Sequence, residues 1–171
     1  MFKKSIISIA LLALSTSVFA SNDLCKNLTG TWTGTYSDPS NLFPSGNFPI
    51  SLQLQFKKGN VYGYTLPAND SGAGSFGASK GAYFFTAKCT KNTLSNIYFV
   101  NQSSACGDPA TSNLTLTQKS VLTNLVLPYE NAMTGANLKT NLTKQAQAST
   151  MDSSLLAQVE TLANGTINTC H

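Results

Sequence analysis

Ile50, Leu52, Leu54 and Phe56 alternate with Ser51, Gln53, Gln55 and Lys57. Successive side chains on a strand point to opposite faces, so this run has one apolar and one polar face. Such a strand must cover its apolar face with more sheet or with a helix. The pattern recurs along the chain. Lys58-Gly59 turns the first run into residues 61–66, Val-Tyr-Gly-Tyr-Thr-Leu, which predicts a hairpin. Residues 67–80 are rich in Gly, Ser and Ala and read as loop with at most a short strand. Residues 81–87 then put Tyr83 and Phe85 on one face and Phe84 on the other, and a turn at Lys91-Asn92 leads into residues 94–101. Leu114 and Leu116 alternate with Thr115 and Thr117, and a tight turn at Lys119-Ser120 returns the chain through residues 121–127. Residues 128–135 read as loop, and residues 138–144 as a weaker strand or a helix.

The period changes near the end. Met151, Leu155, Val159 and Leu162 recur at helical spacing, with Asp152 and Ser153 at the start and Gly165 just past the end. A helix within residues 150–164 follows, its apolar stripe packed outside the sheet or across one end. About eight short strands followed by one helix argue for an all-β barrel or sandwich with an appended helix.

The chain's one Trp lies in Thr29-Gly30-Thr31-Trp32-Thr33-Gly34-Thr35-Tyr36. Thr, Trp and Tyr fit a pleated surface. Trp32, Gly34 and Tyr36 then share one face, and Thr31, Thr33 and Thr35 the other. Gly30-Thr31-Trp32 resembles the Gly-x-Trp signature on the first strand of calycin-type barrels (lipocalins, avidins and small bacterial protease inhibitors), and residues 25–33 are similar to the opening of avidins. The resemblance implies an antiparallel up-and-down β-barrel of about eight strands with Trp32 closing one end from inside. Two departures bear on function. Lipocalins usually pack a late-strand Arg over this Trp; the present chain contains no Arg, so a Lys would have to substitute. Avidins line their pocket with several Trp, and Trp32 stands alone, so biotin binding does not carry over.

Residues 1–20 read as a secretory signal: Lys3 and Lys4, an apolar run over residues 6–14 broken only by Ser8, and Val18-Phe19-Ala20 as a cleavage site. The run is too short for a permanent membrane helix, and no second hydrophobic span follows. The expectation is a secreted or periplasmic protein, one domain over residues 21–171. Lys3 and Lys4 are among 11 basic residues, which leaves 9 against 7 acids in that domain. A charge near +2 is far from the basic footprint of a nucleic-acid binder.

Cys25, Cys89, Cys106 and Cys170 all fall in the exported part. An even count in an oxidising compartment implies two disulfides, with three connectivities open. Metal binding is the poorer reading, because no paired spacing occurs and the single His is His171. The barrel reading narrows the choice if residues 67–80 add no full strand. Cys25 precedes an up-strand and Cys89 ends a down-strand, so both lie at the bottom. Cys106 follows an up-strand, and a helix climbing roughly 20 Å can bring Cys170 to the same top end. Joining Cys89 to Cys106 would instead have to undo a strand of about 25–30 Å. The pairing expected is Cys25–Cys89 and Cys106–Cys170.

Few residues point to catalysis. Gly72-Ala73-Gly74-Ser75-Phe76-Gly77 has the letters of a dinucleotide loop, but no acid stands near residue 97 and a strand-like run follows where a helix is required. Ala73-Gly74-Ser75-Phe76-Gly77 is near a nucleophile elbow but lacks a credible His base. Asp38, Asp70, Asp108 and Glu130 sit in predicted loops, where Asp is a common turn residue, and a glycosidase would need two of them to face each other. Asn69-Asp70-Ser71-Gly72 lacks the spacing of an EF-hand. No cofactor is indicated. The aromatic set Tyr36, Tyr62, Tyr64, Tyr83, Phe85 and Tyr98 is the candidate ligand-binding group, since Tyr joins apolar area to a hydroxyl. The function expected is an exported, non-enzymatic binding protein holding a small apolar or amphipathic ligand in its barrel. The alternative is a secreted module that binds a secreted or host protein, such as a hydrolase inhibitor, through loops at 37–49 or 67–80.

Overall fold

The computed structural model describes residues 23–39, 46–67, 79–104, 106–130, 135–147 and 150–170. Residues 1–20, read above as a secretory signal, the Gly72 to Gly77 motif, Asn69-Asp70-Ser71-Gly72 and His171 lie outside the described residues. A short 3-10 helix, Leu24–Leu28, leads into β1 (Gly30–Ser37), β2 (Phe48–Lys57), β3 (Asn60–Thr65), β4 (Tyr83–Thr90), β5 (Thr93–Asn101), β6 (Leu114–Thr115), β7 (Val121–Glu130) and β8 (Gly135–Lys144). A helix, α1 (Ser153–Asn164), follows. The strands form one antiparallel eight-stranded sheet ordered β6-β5-β4-β3-β2-β1-β8-β7. It curls into a nearly closed up-and-down barrel with one C-terminal helix.

The two hairpin turns follow from backbone chemistry. Lys58 and Gly59 both take positive φ, as do Lys91 and Asn92, and this geometry matches the twist of the flanking strands. Asn96 and Asn124 also take positive φ, and each sits where the pairing slips by one residue. These bulges absorb the extra residue and keep the inward set in phase.

Inward positions carry Trp32, Ile50, Leu52, Leu54, Val61, Phe85, Ile97, Leu125 and Leu138 in one buried cluster. The bottom of the barrel is closed by the 3-10 helix, whose Leu24, Cys25 and Leu28 are buried beside Trp32. Trp32 is fully buried, and its Nε1–H donates to the Leu28 carbonyl at 2.8 Å. Lys144 is the register partner of Trp32 on β8, and its Nζ donates to the Asn27 carbonyl of the 3-10 helix at 2.7 Å. A Lys on the last strand thus ties the sheet to the segment closing the barrel.

The seam between β5 and β7 is filled by residues 106–117: the Ala110 N–H donates to the Ile97 carbonyl and Leu116 is buried in the core. Here the structure corrects the turn expected at Lys119-Ser120. β6 is only two residues long and pairs with β5, while the Ser120 carbonyl accepts from the Lys144 N–H on β8. Residues 128–135 also differ from a plain loop. β7 runs on to Glu130 and β8 starts at Gly135, because Tyr129 and Ala136 continue the inward alternation as register partners. Pro128 is accommodated because β7 is an edge of the sheet.

The disulfides are Cys25–Cys89 and Cys106–Cys170, with Cα–Cα distances of 5.8 and 5.1 Å. β3 and β4 are antiparallel neighbours, so β4 runs down as that pairing requires. Helix α1 lies outside the barrel against β3 and β4, covering Tyr62, Tyr64 and Phe84 with Leu156 and Val159. Asp152 caps it, accepting from the Ser154 and Leu155 N–H groups, as expected from its place before the apolar stripe.

Candidate functional site at the barrel mouth

The strands end together at the top of the barrel, opposite Trp32. There the inward positions of five strands bring together Tyr36 from β1, Phe48 from β2, Tyr83 from β4, Phe99 from β5 and Tyr129 from β7. Tyr36 and Phe48 are register partners with ring centroids 5.4 Å apart. Tyr83 stacks on Phe99 at 5.0 Å and tilts against Tyr129 at 5.8 Å. Tyr36 is buried, whereas Tyr83 and Tyr129 are half-buried and keep part of their surface open.

The electrostatics follow from burial. Tyr83 is pushed above the ordinary tyrosine range by desolvation first and then by its hydrogen bond with Tyr129. The Asn101 Nδ2–H donates to the Tyr83 hydroxyl at 3.4 Å and opposes this shift. Tyr36 is raised by burial and then by the nearby Tyr129. Tyr36 and Tyr83 therefore stay neutral at physiological pH. Half-buried Tyr83 and Tyr129, hydrogen-bonded to each other, bring phenol hydroxyls and ring edges beside half-buried Phe48. Such a surface can take the polar group of an amphipathic molecule while the rings hold its apolar body.

The six aromatics singled out from the sequence divide between the two faces of the sheet and do not share one cavity. Tyr36, Tyr83 and Phe85 face inward. Tyr62 and Tyr64 face outward beneath α1, because Val61, Gly63 and Thr65 alternate with them; Tyr98, next to the inward Ile97 and Phe99, also faces outward. The Tyr64 hydroxyl accepts from the Asp152 N–H at 2.8 Å, so it holds the start of the helix. Phe48, Phe99 and Tyr129 were not singled out. Phe48 continues the Ile50 and Leu52 alternation two residues earlier, a signal that could have found it. Tyr129 was hidden by its place beyond Pro128.

No family model, curated protein or solved structure matches the chain. The eight-stranded barrel, the 3-10 helix before Trp32 and the Lys144 tie are compatible with a calycin-like fold. Among the described residues, no three His, Cys, Asp or Glu side chains gather as a metal site. Glu160 and Asp152 are held by Lys57 and Lys80 at 2.7 and 3.0 Å on the outer surface. Most of the loop at 67–80, and residues 40–45 of the loop at 37–49, lie outside the described residues.

Proposed function

We propose that the protein is an exported, non-enzymatic carrier that holds one small amphipathic molecule in the mouth of its barrel. The observation that carries this reading is the convergence of Tyr36, Tyr83 and Tyr129 over Phe48 and Phe99 at the end opposite Trp32. Phenol hydroxyls beside stacked rings suit a ligand with an apolar body and an uncharged polar group. Export is supported by the leader-like residues 1–20 and by two disulfides, which fit an oxidising environment. No helix among the described residues is long and apolar enough to cross a membrane.

Native mass spectrometry of the mature protein from its own host tests the reading. The expected result is a reproducible extra mass that denaturation releases. The same protein, stripped, should enhance the fluorescence of the neutral probe N-phenyl-1-naphthylamine, and Tyr83→Ala should weaken that binding about tenfold. A bare mass together with no probe binding would overturn the carrier reading.

A further inference from the structure

A second concave surface lies on the outside of the barrel, where the C-terminal end of α1 diverges from the sheet. It is a cleft of about 160 Å³. Its floor is one cross-strand row: Tyr62 on β3 pairs with Thr86 on β4, and Thr86 pairs with Tyr98 on β5. The two phenols stand on either side of a small Thr, two strand spacings or about 9–10 Å apart. Tyr62 and Thr86 are nearly covered whereas Tyr98 is half-buried, so the slot opens on the Tyr98 side, where one ring can stack.

The polar groups around this slot are not used by the protein itself. Tyr62 and Thr86 are 6% and 7% exposed, line the cleft, and their hydroxyls have no hydrogen-bond partner among the described residues. The side-chain amides of Asn60, Asn96 and Asn164 line the same cleft and likewise have no partner there. Elsewhere along α1 the polar groups are engaged, as Gln158 with Gln102 and Glu160 with Lys57 show. Asn96 is placed by the β5 bulge, where its positive φ breaks the regular pairing. The wall beyond the helix is fixed: Cys170 is bonded to Cys106, and the Gly107 N–H donates to the Asn168 carbonyl at 2.9 Å. A site held this way loses little freedom when it binds.

We infer that this cleft binds a neutral sugar ring. Free amides and hydroxyls both donate and accept, which matches a ligand whose own hydroxyls do the same. The last carbonyls of α1 make its C-terminal end an acceptor-rich, slightly negative edge, which disfavours an anion. Lys88 stands on the opposite side as a donor and disfavours a cation. No Asp or Glu lines the cleft. A pyranose stacked on Tyr98, with its hydroxyls spread over the asparagines and the rims of Tyr62 and Thr86, satisfies these groups together.

The test is a nuclear magnetic resonance titration of the ¹⁵N-labelled mature protein with glucose, galactose, mannose and N-acetylglucosamine, followed on the side-chain amides of Asn60, Asn96 and Asn164. The expected result is saturable movement of those signals with at least one sugar, weakened about tenfold in Tyr98→Ala. Asn96→Gly removes the amide while tolerating the positive φ, so it should weaken binding without disturbing the fold. Tyr83→Ala at the mouth should leave the titration unchanged, so this result stands or falls apart from the carrier reading. Binding seen only when the same sugars terminate immobilised glycans, and lost in Tyr98→Ala, would support the inference with a glycan chain end as the source. Silence of the three amides toward every sugar in both formats, or a response unchanged by both Tyr98→Ala and Asn96→Gly, would overturn it. So would a response to adenosine in place of the sugars.

Discussion

Two residues set the contrast between the ends of the barrel. Trp32 fills the closed end, fully buried and hydrogen-bonded to Leu28. Trp32→Ala should cost about 3–5 kcal/mol in urea unfolding, since the 3-10 helix would lose its floor. A loss near zero would mean that the indole does not plug the barrel. Tyr83 marks the opposite end. Its proton is held beyond the ordinary range by burial and by Tyr129, while in the unfolded chain it leaves near pH 10. Above that pH the native state binds more protons than the unfolded one, so stability is complete below about pH 10 and falls as pH rises further. Tyr83→Phe should flatten this alkaline decline in melting temperature. An equally steep decline in the variant would assign it to other groups.

At the scale of elements, the sheet is one piece because β1 pairs with β8 across the longest sequence separation between paired strands. A Cβ at Gly34 would run into the Asn141 carbonyl of β8. Backbone cannot move aside as a flexible side chain can. Gly34→Ala should therefore destabilise the protein by about 1–3 kcal/mol and speed amide exchange in β8 more than in the β2–β3 hairpin. Equal protection of both would show that the seam accommodates the methyl. Helix α1 depends on a different set of contacts: Leu156 and Val159 on Tyr62, Tyr64 and Phe84, with Asp152 held by both Tyr64 and Lys80. It is this covering that makes the outer face of β3 and β4 apolar.

Over the whole molecule, the two disulfides close successive, non-overlapping spans, each with a sequence separation of 64. Loop-closure entropy alone assigns about 4 kcal/mol to each. Their accessibility differs. Cys25 and Cys89 are 1% and 3% exposed, whereas Cys106 and Cys170 are only partly covered. Limited reduction should open Cys106–Cys170 first, because thiol exchange requires access to sulfur. Alkylation and mass mapping would show this order, and early labelling of Cys25 or Cys89 would contradict it. The division suits the molecule: one bridge locks the closed end, and the other pins the tail that walls the outer cleft.

Much of this architecture was legible in the residues themselves. Period-two alternation marked β2 to β5, and the change to helical spacing, with Asp152 before and Gly165 after, marked α1. Alternation of strand direction was enough to pair the cysteines, because a strand cannot be crossed by a bond that spans 5–6 Å between Cα atoms. These features are local, or depend only on counting reversals of the chain. Which face of a strand points inward was not legible for β3 and β5. Tyr62, Tyr64 and Tyr98 read like core residues because residues far along the chain cover or flank them. Nor could the sequence bring Tyr129 to Tyr83, since that contact requires the sheet to curl until its edges face each other. Burial on two faces and convergence across a seam belong to tertiary structure, and they place the inner aromatic cluster and the outer cleft on opposite sides of the same sheet.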